Sequence, residues 1–183
     1  NKYKNKMRVM ISGGGTAGHI FPALAIADYI KKEYDSDFLF IGARNRMEIE
    51  KVKKAGYKIS EIWIDGLQRK VSIRNFLLPI KLIVSLVQSL YFLVKYRPHV
   101  VLGTGGFVSG PVLFAATFLG IPTLIHEQNS FPGITNKILG RLVNKVCVAY
   151  PDLHVFFKNK NIVFSGNPVR GELKVKASKI KSI

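Results

Sequence analysis

The residues best suited to chemistry lie at 11–22, where glycines and a threonine precede a histidine, His19. A short apolar run at 7–11 comes before this stretch, and an apolar-periodic run at 23–30 follows it. This order predicts a strand, a glycine turn and a helix. Backbone N–H groups at such a helix start can bind a diphosphate or a sugar hydroxyl, and His19 would stand at the mouth as a proton acceptor.

Two later segments also place polar residues directly after a short apolar run. Residues 99–102 lead into the glycine-rich residues 103–110, and residues 122–133 contain the cluster His-Glu-Gln-Asn at 126–129. Because the carboxyl ends of parallel strands meet at one edge of a sheet, we expect all three segments to lie together. Two neighbouring glycine turns would form two anion-binding corners. The polar cluster needs partners or a ligand, because unpaired buried polar groups are costly.

Each of these segments has a purely structural alternative. The glycine turns could serve close strand–helix packing, and the polar cluster could be a solvated loop with a helix cap. The first turn also lacks two phosphate-binding patterns. No acidic residue closes the second strand near Gly42, as in a dinucleotide site, and no Gly-Lys-Ser/Thr follows, as in a P-loop. His19 could cap its helix or position a substrate, and Ser109 could cap the next helix.

Short strands rich in Val, Ile and Leu alternate with helical patterns along the chain. This alternation predicts an α/β fold, a doubly wound, Rossmann-like parallel sheet with helices on both faces. Gly56 and Gly120 fall where helices should end. The predicted strands are 7–12, 37–42, 58–64, 99–103, 122–126, 145–149 and 161–165, and the predicted helices are 18–34, 46–55, 75–96, 108–119 and 133–143.

The length and composition of the chain indicate a globular protein with one domain. A chain of 183 residues can form one domain with a sizeable core. Hydrophobic residues make up 48% and charged residues 21%, which is typical of a globular protein. The chain has one cysteine, Cys147, so no disulfide can form within it, which suits a reducing compartment.

The formal net charge of +17 indicates an anionic partner. Nucleic acid, an anionic membrane surface and a phosphorylated substrate are the three classes to consider. No zinc-ligand spacing, RNA-binding aromatic signature or helix-turn-helix pattern is present, so we expect no nucleic acid partner. We also expect no metal and no cofactor, because the Asp-x-Asp spacing of Asp35 and Asp37 precedes the second strand, at the wrong edge of the sheet.

Residues 76–94 are nearly all apolar, but Lys81 and Gln88 make them marginal as a membrane span. Polar residues recur every three or four positions and predict a narrow polar stripe on a helix whose other faces pack in a core. The alternative is an apolar patch ringed by cations, as on proteins that sit on anionic lipid. The residues of this predicted membrane patch are Arg69, Lys70, Arg74, Phe76, Leu77, Ile80 and Lys81.

Four motifs, in their order and spacing, resemble the N-terminal half of the MurG family. Members of this family are bacterial N-acetylglucosaminyltransferases of the GT-B fold. They are residues 14–22 (GGTAGHIFP), 103–111 (GTGGFVSGP), 126–129 (HEQN) and 166–170 (GNPVR). The resemblance covers about residues 7–173. It implies an inverting enzyme that transfers N-acetylglucosamine from UDP-N-acetylglucosamine to lipid I, an undecaprenyl-diphosphate-linked muramyl pentapeptide. The product would be lipid II for peptidoglycan, made at the cytoplasmic face of the plasma membrane by a peripheral enzyme.

The resemblance also implies roles for individual residues. His19 would be the general base, with Glu127 as a competing base or as a group that orients His19 or binds a sugar hydroxyl. Ala17 replaces a glycine common in the family, so the turn must use an ordinary backbone conformation there. Donor contacts would come from Thr16, Ala17, Gly18, Asn129 and Arg170, and acceptor diphosphate contacts from Gly14, Gly15, Gly103, Thr104, Gly105 and Gly106.

By the same resemblance, residues 1–170 form the acceptor-binding domain and residues 171–183 a linker or tail. The donor-binding domain would lie outside this chain, so we expect the 183 residues alone to be inactive. Two alternatives stay open. The chain could be a membrane-anchoring module that pairs with a separate donor-binding chain, or it could belong to a related transferase acting on another glycolipid.

Overall fold

A computed structural model describes residues 6–66, 77–157 and 161–169. The strands are β1 (Met7–Gly13), β2 (Ser36–Ala43), β3 (Lys58–Ile62), β4 (Val100–Gly105), β5 (Thr123–Glu127), β6 (Lys145–Val148) and β7 (Ile162–Phe164). The helices are α1 (Ala17–Glu33), α2 (Met47–Lys54), α3 (Leu78–Tyr96), α4 (Ser109–Phe118) and α5 (Ile134–Leu139), with a 3₁₀ helix at Pro151–Phe156.

The strands form one parallel sheet in the order β3-β2-β1-β4-β5-β6-β7. Helices cover both faces because the central strands are apolar on both sides. Met10 packs in the cluster that contains Leu113 of α4, whereas its neighbour Ile11 packs in the cluster that contains Leu24 of α1. Successive side chains of a strand point to opposite faces, so one apolar run supplies both cores. The predicted doubly wound α/β fold is confirmed.

Most predicted element ends differ from the structure by one or two residues, and two of the differences have a visible cause. The helix predicted over 133–143 ends at Leu139, and turns at 140–143 follow it. Gly140 is a poor helix former, and it lies against Phe157 so closely that a Cβ there would be 2.4 Å from the ring. The strand predicted over 58–64 ends at Ile62, where its pairing with β2 also ends.

Helix α3 is oriented opposite to the prediction. Its polar stripe faces inward, since Ser85 and Ser89 are 0% and 1% exposed. Each hydroxyl donates to a carbonyl of its own helix, Leu82 O at 2.8 Å and Ser85 O at 2.7 Å, so no buried donor is left unpaired. Small side chains on this face allow α3 to approach its neighbour α4 closely. Leu93 packs in the core and Leu90 and Phe92 pack against it, but the expectation that most of the remaining side chains face a core is wrong.

The apolar side chains of α3 therefore face outward. Ile83 and Val87 are 63% and 61% exposed. The helix is long and apolar enough to cross a membrane by length and composition, yet one side of it packs on the domain. The exposed apolar residues of this face, on α3 and the adjoining α4, are Ile80, Leu82, Ile83, Val87, Tyr91, Val94, Phe114 and Phe118. We call this set the α3–α4 face.

Candidate functional site

The two glycine turns meet at the carboxyl edge of the sheet, between β1 and β4. Gly13 is in register with Gly105, and the Gly14 N–H donates to the Gly105 carbonyl at 3.3 Å. Gly106 has a φ of +82° and packs on Gly14 so closely that a Cβ would lie 2.2 Å from the Gly14 oxygen. The strand order reverses between β1 and β4, which is where ligands bind in open α/β sheets. The predicted proximity of the two turns is confirmed.

His19 lies in the first turn of α1, where the two glycine turns touch. Its Nδ1 is 3.0 Å from the Gly14 carbonyl oxygen and 3.1 Å from Thr16 Oγ1. A carbonyl oxygen can only accept, so Nδ1 donates to it, and in the neutral ring the lone pair is on Nε2. Nε2 faces Gly105, where a Cβ would lie 3.0 Å from it. The ring is thus held in the tautomer that a general base needs.

The first glycine turn is held by a buried carboxylate that the sequence analysis did not identify. Glu48, fully buried in α2, accepts from the Gly15 N–H at 3.2 Å and from the Ala43 N–H at 3.0 Å. Gly14 is required beside it, because a Cβ there would be 2.3 Å from Glu48 Oε1. The N–H groups of Gly14 and Gly15 therefore already have acceptors. Their predicted role as diphosphate donors is not supported, since a second anion here would face a buried carboxylate.

Most predicted phosphate-binding residues of the second turn are also hydrogen-bonded or packed inside the protein. Thr104 is fully buried, and its hydroxyl donates to the His19 carbonyl at 2.8 Å. Gly103 belongs to β4 and packs against Leu113. Gly105 is buried beside His19, so Gly106, which is half-buried, is the predicted phosphate-binding residue best placed to meet a ligand. Thr104 and Gly103 position the turn and do not form a phosphate cradle.

Glu127 organises the loop that follows β5. This carboxylate is 1% exposed and accepts from the N–H and the side-chain amide of Asn129 at 3.0 and 2.9 Å, from the Gly133 N–H at 3.2 Å and from Asn136 Nδ2 at 2.9 Å. Its lone pairs are thus occupied, and among the described residues no hydrogen bond joins it to His19. The geometry favours a structural role for Glu127 over the predicted roles of competing base or His19-orienting group.

The polar cluster after β5 connects the second turn to the chain beyond β7. Gln128 Nε2 donates to the Thr104 carbonyl at 2.9 Å, and Thr104 in turn bonds His19. On the other side, His126 Nε2 lies 3.0 Å from the Gly166 carbonyl oxygen. These contacts therefore join all four motifs, and they hold the His19 backbone in place.

The predicted donor-binding residues stand at two places on the same edge. Thr16 and Gly18 are exposed at the start of α1, and Ala17 between them is half-buried. Ala17 is not among the described non-glycine residues with positive φ, which confirms that the turn uses an ordinary backbone conformation there. Asn129 is exposed, with its side-chain amide bonded to Glu127. Arg170 lies outside the described residues.

Asn136 and Glu48 are the site residues that sequence reasoning missed. Asn136 is buried in α5, and its Nδ2 donates to Glu127 and to the His126 carbonyl, while its Oδ1 has no partner among the described residues. Both residues share one signal. Each is a polar residue in the first turn of a helix that follows a strand's carboxyl end, a position that faces the active edge.

The predicted membrane patch is only partly described. Arg69, Lys70, Arg74 and Phe76 lie outside the described residues. Leu77 and Ile80 are exposed, as the prediction requires. Lys81 does not fit it, because the side chain is buried and its ammonium pairs with the Asp65 carboxylate.

Comparison with known proteins identifies the family. The glycosyltransferase family 28 N-terminal domain matches residues 9–148. Proteins from Christiangramia forsetii and Flavobacterium psychrophilum are each 50% identical to the chain, over 93% and 91% of it, and both are named UDP-N-acetylglucosamine–N-acetylmuramyl-(pentapeptide) pyrophosphoryl-undecaprenol N-acetylglucosamine transferase. The match covers 47% and 46% of those proteins, so the chain spans about half their length.

Solved structures agree with this assignment. Acinetobacter baumannii MurG superposes with a TM-score of 0.77 at 32% identity, over 92% of this chain and 48% of that one. The UDP-GlcNAc 2-epimerase of Neisseria meningitidis, at 16% identity, has a TM-score of 0.63 over 96% of this chain and 50% of its own and shares the fold alone. Sequence motifs, sheet order and family match converge, and the chain therefore belongs to glycosyltransferase family 28, whose N-terminal domain it carries.

Proposed function

We propose that this chain is the acceptor- and membrane-binding half of an inverting transferase that moves N-acetylglucosamine from UDP-N-acetylglucosamine to lipid I and so forms lipid II. The names of the relatives supply the substrates. The observation that carries the proposal is the contact of His19 Nδ1 with the Gly14 carbonyl oxygen, which leaves Nε2 facing the junction of the two glycine turns. The relatives are about twice as long as this chain, which favours one polypeptide with two halves over a separate donor-binding chain.

In this mechanism, the 4-hydroxyl of the acceptor sugar attacks the anomeric carbon of the donor sugar from the side opposite UDP. His19 Nε2 takes the hydroxyl proton as the new C–O bond forms, and UDP leaves with the electron pair of the broken bond. The N-terminus of α1, with Thr16, Ala17 and Gly18, faces the donor side and favours the developing negative charge. Gly106 and the start of α4 would face the acceptor.

The α3–α4 face supports a peripheral position on the cytoplasmic side of the plasma membrane. A contiguous exposed apolar surface is unusual on a protein surrounded by water alone. The net charge of +17 would add attraction to anionic lipid, at about 1 kcal/mol for each cation near the surface. The acceptor itself is a lipid, so a face that rests on the bilayer would bring the site to its substrate.

Sedimentation with vesicles tests this proposal. The chain is mixed with phosphatidylcholine–phosphatidylglycerol vesicles, with and without lipid I, at low and high salt. We expect salt-sensitive binding that lipid I strengthens. The double variant Ile83→Ser, Val87→Ser should lose binding, whereas Val163→Ser, an exposed apolar site on β7, should not. Binding that ignores lipid I would contradict the acceptor role, and no binding would contradict the membrane role as well.

The 183-residue chain alone should not turn over UDP-N-acetylglucosamine and lipid I, because the relatives carry about as much sequence again beyond the matched region. A radiolabelled transfer assay, with a full-length relative as positive control, measures this. Formation of lipid II by the chain alone would contradict the division of donor and acceptor functions between two halves.

A further inference from the structure

A polar cavity of about 480 Å³ opens beside the catalytic edge and has no part in the mechanism above. It lies at the carboxyl ends of β2 and β3, the same edge of the sheet that carries the glycine turns. Its lining residues are Arg44, Asn45, Arg46, Trp63, Ile64, Asp65 and Lys81. We call it the Arg44 pocket.

Positive charge dominates the Arg44 pocket. Asp65, its one acidic residue, accepts from Arg46 Nη2 at 3.2 Å and from the Lys81 ammonium. The hydrogen bond from Lys81 is the main cause that lowers the pKa of Asp65, so this carboxylate stays ionised and committed to its two partners. Lys81 also lies 5.2 Å from the centre of the Trp63 ring. The pocket therefore holds three cations and one carboxylate, and only two of the cations contact that carboxylate.

Arg44 is the cation left over. Within the described part of the chain, its guanidinium makes no hydrogen bond or ion pair, although its backbone is well held. The Arg44 N–H donates to the Ile62 carbonyl at 3.0 Å, and the preceding Ala43 N–H is bonded to Glu48. An exposed guanidinium on a fixed backbone is suited to bind an anionic oxygen pair, because its planar donors match carboxylate and phosphate geometry.

One aromatic ring separates this pocket from the first glycine turn. The Arg46 guanidinium lies 5.7 Å from the centre of the Phe107 ring. The same ring lies against Gly15, where a Cβ would be 3.2 Å from it, and against Gly66, where a Cβ would be 2.9 Å from it. A substrate with its sugar at His19 could therefore extend past Phe107 to the arginines. The first turn itself is a poor anion site, because Glu48 already occupies the Gly15 N–H.

We propose that the Arg44 pocket binds an anionic group of the acceptor substrate, with Arg44 as its principal contact. This inference rests on the proposed function for the identity of the ligand. The relatives' names describe an acceptor that carries both a pyrophosphoryl group and a pentapeptide, and each offers anionic oxygens of the kind that a guanidinium binds. The pocket extends the acceptor site to the β2–β3 side of the sheet.

Trp63 makes the proposal measurable, because it is the only tryptophan in the chain and it lines the pocket. Its fluorescence is followed while the chain is titrated with inorganic pyrophosphate, with a synthetic pentapeptide bearing a free C-terminal carboxylate, and with the same peptide amidated. We expect saturable quenching by pyrophosphate or by the free-acid peptide, and none by the amide. Whichever of these two probes quenches Trp63 fluorescence identifies the group of the acceptor that the pocket binds.

Substitution of Arg44 provides the decisive control. Arg44→Gln should weaken binding of the responding probe about tenfold, since a charged hydrogen-bond donor is lost. Its side chain has no partner within the described residues, so the variant should fold normally. Arg141→Gln removes the same charge from an exposed residue just beyond α5, at the opposite edge of the sheet, and should bind as tightly as the unaltered chain. Quenching by neither anion, or quenching that Arg44→Gln leaves unchanged, would overturn the proposal.

Vesicle sedimentation separates this proposal from the proposed function. If lipid I strengthens vesicle binding equally for the unaltered chain and for Arg44→Gln, the pocket proposal fails while the acceptor role stands. If lipid I has no effect but quenching depends on Arg44, the acceptor role fails, and with it the assignment of this pocket to the acceptor. If lipid I strengthens binding of the unaltered chain and Arg44→Gln loses most of that gain, both proposals are supported.

Discussion

The two glycine turns look alike in sequence but differ in what fills them. In the first turn, the backbone N–H groups of Gly14 and Gly15 bind a neighbouring carbonyl and the buried Glu48 carboxylate. In the second, Gly106 accommodates close backbone approach, and a buried threonine, Thr104, ties the turn to His19. Glycine here marks where two backbones must touch. It does not by itself mark where an anion binds.

The turns also differ in what holds them. The first depends on a side chain 33 residues away, on a helix that covers another strand. The second depends on its own backbone conformation and on residues adjacent in the sheet. Substitutions that affect one support and spare the other therefore test whether the two turns form one unit.

Gly106→Ala should have the largest effect, because it forces a side chain into the junction. A Cβ would meet the Gly14 oxygen at 2.2 Å, and the φ of +82° adds strain. We expect a loss of about 3 kcal/mol or more in the free energy of unfolding, measured by chemical denaturation.

Gly120→Ala is the matched control for this variant. Gly120 has a φ of +68°, and nothing lies within 4 Å of a Cβ built there. It should lose only about 1 kcal/mol, the cost of the backbone conformation alone. Equal losses in the free energy of unfolding for the two variants would mean that the close contact between the two turns adds no steric cost.

Glu48→Gln should have the next largest effect and should act on the first turn alone. An amide group cannot accept from both the Gly15 and Ala43 N–H groups, so one buried donor loses its partner, at a cost of about 2 kcal/mol. Amide hydrogen exchange should speed up at Gly15 and Ala43 and stay unchanged at Gly106.

Glu50→Gln supplies the comparison for that change. This residue is exposed in the same helix turn, and its substitution should stay within about 0.5 kcal/mol of the unaltered chain. Faster exchange at Gly106 in Glu48→Gln would show that the carboxylate supports both turns at once.

Thr104→Val should have the smallest effect of the three. The change keeps the shape of the side chain and removes the hydroxyl that donates to the His19 carbonyl, a loss of about 1 kcal/mol. Thr117→Val removes a similar bond to the Leu113 carbonyl within α4 and should cost less, because that oxygen can keep its helical partner. If Thr104→Val also leaves the pH dependence of the His19 NMR signals unchanged, the ring is held by its contacts with Gly14 and Thr16 and not through Thr104.

Local patterns were enough to predict the fold and the meeting of the turns. Alternating strands and helices fix the parallel sheet, and a parallel sheet puts the carboxyl ends of β1 and β4 on one edge. Glu48 has a local signal, its place in the first turn of a helix after a strand, but nothing in the sequence links it to a turn 33 residues away. Local patterns also could not show that Glu127 is fully hydrogen-bonded, since the bonds that occupy it form only once the loop after β5 has folded back.

Helix α3 shows a different limit of prediction from sequence, which concerns the orientation of a helix. Its hydropathy is the same whichever face points inward, and the polarity of the stripe favoured the outward position for Ser85 and Ser89. The structure reverses this, because serines that bond their own helix can be buried without loss and let the helix approach closely. The orientation depends on tertiary partners, which are α4, the Trp63 N–H bonded to Gln88 and the Asp65 carboxylate paired with Lys81.

That orientation of α3 limits how deeply the protein can enter a lipid bilayer. The inward side of α3 carries Lys81 in contact with Asp65, and a crossing of the bilayer would separate this ion pair in hydrocarbon. A helix cylinder is about 10 Å across, so lipid can take up only its outer half, roughly 5 Å, before it meets the domain. If the proposed membrane position holds, the protein would lie at the level of the headgroups, beside the polar portion of the proposed lipid acceptor.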